Sequence, residues 1–265
     1  MSSKIPFQGL NNTRDLGGMR TADGREILSG KLYRSGHLYA ASIQDRARLS
    51  EAVELVIDLR TERERNEKPD PVIPGVKNLP LPIIESLAAG VSRDAESDEA
   101  AFIMAAADPD RARAYMSRTY TDFIRSDFSV SQYRRFVQLL RDPRKKAVLW
   151  HCTAGKDRAG FAEVLVQELL GVSRSDILED YLQTNVFLAE EVEQLYAMLG
   201  ARMNGLDERR EKALYYLFTA QEEYLAAVYT AIEERFGSIE SFAERGLGMG
   251  AAEREQFRAQ YLREA

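Results

Sequence analysis

The sequence predicts an α/β fold in which a central sheet is flanked by helices, and three observations indicate it. Two apolar runs, residues 55–59 (LVIDL) and 147–150 (AVLW), have the length and composition of buried strands. Helical patterns dominate the chain after Val172. Strands that come early and helices that come late are typical of a sheet with helices packed around it.

The elements before the first buried strand follow from turn and capping signals. Residues 11–35 are rich in Gly, Asp and Asn, which predicts turns joined by short strands. A helix is predicted from Ser42 to about Glu54, with Ser42 as its N-cap. After the strand at residues 55–59, five prolines between residues 69 and 82 mark an extended stretch with a candidate strand at residues 76–81.

The middle and C-terminal parts are predicted to be mostly helical. Residues 85–113 are rich in Ala, Ser and Asp, which predicts a mobile insertion or loosely packed helices. Helical patterns follow at residues 115–124 and 132–140, and a helix at 161–170 follows the second apolar run. Aromatic residues at helical spacing predict a core stripe: Tyr215, Tyr216, Phe218 and Tyr224. The alternative is a helical lid over the pocket, formed by about residues 186–218.

Composition limits the classes of function. At 265 residues and 45% hydrophobic content the chain can bury one sizeable core, so we expect residues 1–265 to form a single domain. The net charge of −6 gives no indication of a nucleic-acid surface. Only two histidines argue against a histidine-rich metal site, although carboxylates remain candidate magnesium ligands, and we expect neither a metal nor another cofactor.

Targeting signals are also weak. No apolar run is long enough to span a bilayer, and the first residues lack the apolar core of a secretory signal. A single cysteine excludes an intrachain disulfide, which fits a reducing compartment. We therefore expect a cytoplasmic protein, with export that needs no cleaved signal as the alternative.

The segment HCTAGKDRAG, residues 151–160, carries the strongest chemical signal. It joins a predicted strand to a predicted helix, which directs loop N–H groups and a helix N-terminus at one point and suits an anion. Cys152 opens this anion loop (Cys152–Arg158) and Arg158 closes it. A cysteine beside a cation and a helix N-terminus is activated as a thiolate nucleophile, and a guanidinium matches two phosphate oxygens.

The same segment resembles the His-Cys-x5-Arg signature of bacterial cysteine-dependent protein tyrosine phosphatases, in the group related to mycobacterial phosphatase B and the listerial tyrosine/lipid phosphatase. The resemblance extends over most of the chain in the family's order. The similar segments are NTRDLGG at residues 12–18, LYRS at 32–35, VIDLR at 56–60, DYLQTN at 180–185, EYL at 223–225 and FGS at 236–238. It implies a cysteine-phosphatase-like central sheet with a helical lid insertion and a helical C-terminal part.

A phosphate ester bound in the anion loop would be hydrolysed without a metal. Cys152 would attack phosphorus and form a phosphocysteine, and preorganised positive charge would stabilise the transition state. His151 would orient the loop and help to stabilise the thiolate. The groups expected to bind phosphate are the guanidinium of Arg158 and the backbone amides of Thr153, Ala154, Gly155, Lys156 and Arg158.

Two aspartates are candidates for the acid that protonates the leaving group. Asp157 lies in the loop beside Arg158, and the resemblance favours an aspartate there. Asp58 is the alternative, because it ends a strand whose carboxyl end would face the same crevice. We prefer Asp157 as acid and base, with Asp58 or Arg60 bracing the loop. The structural alternative for Asp157 is an ordinary charge at a helix N-terminus.

Two loop positions bear on activity and substrate. The family's usual Ser or Thr after the arginine is Ala159 here, and the loss of one hydroxyl costs about 1–3 kcal/mol in the transition state. This predicts slower turnover, or a pseudophosphatase that binds phosphotyrosine or phosphoinositides without hydrolysing them. Lys156 suits a second phosphate or an inositol hydroxyl. The expected partners are therefore phosphotyrosine proteins or phosphoinositide headgroups, with inhibition by phosphate or vanadate-like oxyanions.

A further enzyme class also places cysteine in an anion loop. Sulfurtransferases and arsenate reductases do so, but arsenate reduction normally needs further thiols in relay, and this chain has a single cysteine. The loop arginine with an upstream aspartate favours phosphate.

Overall fold

A mixed sheet of six strands forms the centre of the fold in the computed structural model, which describes residues 1–85, 101–202 and 205–264. Its strand order is β1-β2-β4-β7-β5-β6, and β3 pairs with β8 in a separate two-stranded sheet. The strands are β1 (Ser3–Lys4), β2 (Arg14–Asp15), β3 (Glu26–Ile27), β4 (Leu32–Ser35), β5 (Val53–Asp58), β6 (Lys77–Pro80), β7 (Ala147–His151) and β8 (Leu262–Arg263).

Four neighbouring strands run parallel and set the position of the anion loop. Strands β4 and β5 flank β7, and their last residues, Ser35 and Asp58, both pair with His151. The carboxyl ends of these strands therefore meet at one edge, where α/β sheets bind ligands. The anion loop leaves β7 at this edge.

Helices cover both faces of the sheet. The larger core contains Leu55, Ile57 and Trp150 together with most of the helices, and a smaller core contains Leu49, Val56 and Leu149. The predicted α/β fold is confirmed. The helices are α1 (Ile43–Ala52), α2 (Glu62–Glu67), α3 (Pro109–Arg125), α4 (Asp127–Arg141), α5 (Arg158–Leu170), α6 (Arg174–Leu182), α7 (Thr184–Phe187), α8 (Ala189–Arg202), α9 (Glu208–Phe218), α10 (Glu222–Phe236), α11 (Ile239–Ser241), a π-helix (Phe242–Gly246) and α12 (Ala251–Tyr261).

Capping and strand pairing explain where α1 begins and ends. Ser42 is its N-cap, as predicted, and forms a reciprocal capping box with Asp45. The predicted end at Glu54 is wrong, because Val53 and Glu54 belong to β5 and Val53 pairs with Ala147. Helices α3 and α4 contain the predicted helical residues and extend beyond them on the N-terminal side.

The structure describes only part of residues 85–113 and of residues 186–218, the two regions for which the sequence left alternatives open. Within residues 85–113, residues 86–100 lie outside the described part, residues 101–105 are helical and α3 begins at Pro109. Region 186–218 contains the end of α7 and helices α8 and α9, apart from residues 203–204, which are not described. Tyr224 lies in the core, whereas Tyr215 is 46% exposed, so the core-stripe interpretation is wrong for Tyr215. Within the described ranges, no helix combines the length and apolar character needed to cross a bilayer.

Candidate active site

The anion loop connects β7 to α5 and turns at Gly155, whose φ is +75°. A Cβ at Gly155 would lie 2.8 Å from the carbonyl oxygen of Ser35 and 2.9 Å from the amide nitrogen of Gly36. Both the backbone conformation and the close approach of β4 therefore require glycine. Cys152, at the start of the loop, is buried with 2% of its surface exposed.

Three successive carbonyls of the loop are bonded to the scaffold. The Thr153 carbonyl accepts from the amide of His37 at 2.9 Å, and the Ala154 carbonyl accepts from Nδ2 of Asn12 at 3.2 Å. The Gly155 carbonyl accepts from Nη2 of Arg34. A trans peptide points its C=O and N–H in opposite directions, so the following amides face the other side of the loop. This arrangement presents N–H donors to an anion.

Two of the residues that hold these carbonyls, Asn12 and Arg34, belong to the N-terminal motifs NTRDLGG and LYRS. Asn12 has a positive φ of 52°, and Arg34 forms a buried ion pair with Glu163 of α5. Arg14 donates to Glu163 at 3.4 Å and to the Asp180 carbonyl at 2.9 Å. Burial raises the pKa of Glu163, against the opposing pull of Arg14 and Arg34. The motifs therefore form a buried polar network behind the loop.

Arg158 is held by a carboxylate from another element. Its two terminal nitrogens donate to Glu64 of α2 at 2.6 and 2.7 Å, and Oγ1 of Thr153 donates to the same carboxylate. Burial opposes the charge on Glu64, but Arg158 outweighs it and holds the pKa of Glu64 well below its usual range. This two-point pair fixes the plane of the guanidinium before any substrate is present.

His151 and Asp58 belong to a buried ion-pair cluster below the loop. Arg60 donates to Oδ2 of Asp58 at 2.8 Å and lies 2.9 Å from Asp70. Nε2 of His151 is 2.9 Å from Asp70 and 3.7 Å from Asp58. Asp58, Asp70 and His151 offer potential metal-binding atoms within 4.8 Å of one another, but Arg60 already supplies positive charge to both carboxylates. Asp58 is thereby bound to Arg60 rather than directed at a leaving group.

Asp157 lies at the N-terminus of α5 with its side chain 28% exposed, and it makes no capping hydrogen bond to that helix. Its Oδ1 accepts from the phenol of Tyr120 at 2.9 Å and lies 3.0 Å from Nζ of Lys156. Asp157 is thus a charge at the helix N-terminus, as its structural alternative describes, and its role as acid and base stays a prediction. Its carboxylate is held beside the loop by Tyr120 of α3 and by the neighbouring Lys156.

The side chain of Lys156 lies away from the position that the sequence suggested. It is 3% exposed, and its ammonium donates to the carbonyls of Leu217 at 2.8 Å and Thr219 at 3.4 Å. These carbonyls lie at the C-terminal end of α9, where a positive charge is favourable. Lys156 therefore ties the loop to α9, and its ammonium is not presented to a second phosphate in this structure.

A cavity of about 200 Å³ opens beside the loop at Thr153 and Ala154. One wall is apolar and is formed by Leu188, by α8 and by the last residue of α9. Burial, and to a smaller extent the nearby cations, lowers the pKa of His37 to about 4, so this residue faces the cavity uncharged at neutral pH. The other lining residues are Asn11, Gly36, Lys68, Leu188, Glu191, Val192, Leu195 and Phe218.

A family model of the tyrosine phosphatase family matches residues 5–263. The chain belongs to the tyrosine phosphatase family, and the resemblance inferred from the sequence is confirmed. It is a hydrolase of the tyrosine phosphatase class by this membership.

Individual relatives agree with this assignment. The chain is 32% identical over 261 residues to a protein named as a proposed tyrosine-protein phosphatase of Cupriavidus necator, covering 97% of this chain and 88% of the relative. It is 29% identical over 256 residues to the triple specificity protein phosphatase PtpB of Mycobacterium tuberculosis, covering 87% and 89%.

A solved structure of P. aeruginosa TpbA in complex with pTyr shares 17% identity with a TM-score of 0.32, and the match covers 78% of this chain and 90% of that one. This similarity is too low to carry an argument. The fold class rests on the strand order and helices described above.

Several residues of the site have no clear signal in the sequence. Thr61 and Glu64 have the spacing of a capping box, which marks the N-terminus of α2 directly after β5. That spacing could have placed Glu64 at the carboxyl edge of the sheet. Nothing local connects Asp70 with His151 or Tyr120 with Asp157, because packing alone brings these pairs together.

Proposed function

We propose that this protein hydrolyses phosphotyrosine in proteins through a phosphocysteine on Cys152, without a metal. The observation that carries the proposal is the anion loop. Its carbonyls accept hydrogen bonds from residues outside the loop, its cysteine is buried at the end of β7, and Glu64 fixes its arginine. These groups supply a nucleophile and positive charge at one point, which phosphoryl transfer requires.

The reaction has two displacements. The Cys152 thiolate attacks phosphorus in line, the bond from phosphorus to the phenolic oxygen breaks, and Asp157 gives its proton to the leaving oxygen. In the second step Asp157 takes a proton from water, whose oxygen attacks phosphorus. The phosphorus–sulfur bond breaks, and the thiolate and inorganic phosphate are released.

The cavity beside Thr153 and Ala154 supports an aryl phosphate as the substrate. Leu188, Val192 and Phe218 line it with apolar surface, which favours a phenyl ring over the short, polar side chain of phosphoserine. Inorganic phosphate and vanadate-like oxyanions would compete for the same loop.

Phosphoinositide headgroups are the second candidate substrate. They are supported by a cation within the loop, Lys156, and by the name of the mycobacterial relative, a triple specificity phosphatase. Hydrolysis of a headgroup with help from Lys156 would require its ammonium to leave the carbonyls of Leu217 and Thr219. The geometry therefore favours phosphotyrosine.

Phosphate release from three substrates in the presence of a chelator tests the proposal. The substrates are a phosphotyrosine peptide, the matched phosphoserine peptide and a monophosphorylated inositide, each with Cys152→Ser as the blank. We expect release from the phosphotyrosine peptide to exceed the other two and to vanish in the variant. Binding of the peptide by wild-type protein without release would instead establish a pseudophosphatase.

A further inference from the structure

Two buried phenols form a hydrogen-bonded chain that ends on Asp157. Tyr120 of α3 donates to Oδ1 of Asp157 at 2.9 Å, and Tyr181 of α6 donates to the phenol oxygen of Tyr120 at 2.8 Å. The two tyrosines are 0% and 1% exposed. Tyr181 lies in the segment DYLQTN, and its hydroxyl donates to Tyr120 rather than to a group of the anion loop.

The direction of donation follows from this chain. Because Tyr181 donates to the oxygen of Tyr120, the proton of Tyr120 is directed to Asp157. Burial first, and then the charge of Asp157, raises the pKa of Tyr120 well above its usual value. Tyr120 therefore remains a donor throughout the neutral pH range.

The carboxylate of Asp157 is held asymmetrically. Its Oδ1 receives Tyr120 and also lies 3.0 Å from Nζ of Lys156. Helix α5 does not engage the side chain, because Asp157 makes no capping hydrogen bond. Because Tyr120 donates to Oδ1 and Lys156 pairs with it, the other carboxylate oxygen, Oδ2, is the one that can exchange the reacting proton.

We infer that Tyr120 is a positioning residue for Asp157, and that its phenol fixes Oδ1 so that Oδ2 exchanges the proton with the leaving oxygen and with water. This inference rests on the proposed function, in which Asp157 is the acid and base. Tyr181 supports it by orienting the phenol of Tyr120.

The charged and titratable groups around Asp157 come from several elements. They are the two cations of the loop and four phenols from the helices packed against it: Lys156, Arg158, Tyr120, Tyr133, Tyr181 and Tyr224.

The test compares Tyr120→Phe with Tyr224→Phe as the matched control. Tyr224 is also buried and its ring lies 5.5 Å from that of Tyr120, but its phenol donates to the Tyr216 carbonyl instead of Asp157. The readout is kcat and KM, measured separately, for two aryl phosphates, one with a good leaving group and one with a poor one.

Without the Tyr120 hydroxyl, Oδ1 of Asp157 loses the donor that fixes the carboxylate. We expect kcat for the poor leaving group to fall about tenfold, with a smaller loss for the good one and little change in KM. Tyr224→Phe should keep the wild-type ratio of the two rates. The same ratio of rates in Tyr120→Phe as in Tyr224→Phe would overturn the inference.

Two further variants separate the ways in which the test can fail. Tyr181→Phe keeps Tyr120 and removes only its donor, so a smaller selective loss of kcat with the poor leaving group is expected even if Tyr120→Phe does not fold. Equal losses with both leaving groups, or no loss, in Tyr181→Phe would then contradict the inference. Asp157→Asn tests the underlying role: unchanged rates with the poor leaving group would remove Asp157 as the acid, and the inference with it.

Discussion

The carboxylate of Glu64 receives both terminal nitrogens of Arg158, at 2.6 and 2.7 Å. A guanidinium has five N–H donors, so Arg158 can hold Glu64 and a phosphate at the same time. The partner is supplied by α2, the helix that follows β5, whereas Arg158 follows β7. The site is therefore assembled across two neighbouring strands, and the orientation of its main cation is set before substrate binds.

Replacing Glu64 tests this preorganisation. In Glu64→Gln one charged partner of Arg158 is lost, and we expect kcat for a phosphotyrosine peptide to fall about tenfold or more, with a smaller change in KM. Glu62→Gln on the same helix is the control, since Glu62 is exposed. Steady-state kinetics of the two variants suffice; an unchanged kcat in Glu64→Gln would show that Arg158 does not need this partner.

Ala159→Ser tests the missing hydroxyl. Ala159 is fully buried directly after Arg158, where a hydroxyl would add a donor for the thiolate leaving group. We expect hydrolysis of the phosphocysteine to accelerate about tenfold or more in Ala159→Ser. Rapid-mixing kinetics measure this step, and Ala159→Gly controls for a change in packing. Equal rates in the serine and glycine variants would refute the prediction.

Helix α8 carries a carboxyl whose ionisation disfavours folding. Burial, with Glu190, raises the pKa of Glu191 to about 7, and its Oε2 makes no hydrogen bond within the described part of the chain. The pKa of Glu191 is higher in the folded protein than in the unfolded one, so the protonated carboxyl contributes its full stability at low pH, and this contribution is lost as the pH rises through 7.

Glu191→Gln should therefore stabilise the protein at pH 8 relative to wild type, and much less at pH 4. Because the side chain is only partly buried, solvent screening limits the expected gain to about 1 kcal/mol. Urea unfolding at both pH values measures it, with the exposed Glu193→Gln as the control. A gain of the same size at pH 4 and pH 8 would contradict the assignment.

The sequence predicted what depends on local pattern. Cys152, Arg158 and their position between a strand and a helix follow from a motif of ten residues, and the cap at Ser42 follows from its neighbours. The partners of the loop are distant in the chain: Arg158 and Glu64 are 94 residues apart, and Asp157 and Tyr120 are 37 apart. Periodicity predicts the type of an element but not which element packs beside it.

Lys156 illustrates the same limit. Its place in the loop predicted contact with a substrate phosphate, yet its long side chain reaches the carbonyls at the end of α9. The sequence did not show that α9 ends there. Strands of two residues, such as β1 and β3, were equally hard to separate from turns.

Transfer of phosphate through Cys152 is tested by a rapid acid quench of Asp157→Asn during turnover of an aryl phosphate that has a good leaving group and a radiolabelled phosphate. The first step with this substrate does not need the acid, whereas the second step lacks its base, so the label should accumulate on the enzyme. Peptide mapping should locate the label on Cys152. Turnover that continues in Cys152→Ser, or label on any other residue, would show that phosphate does not pass through Cys152.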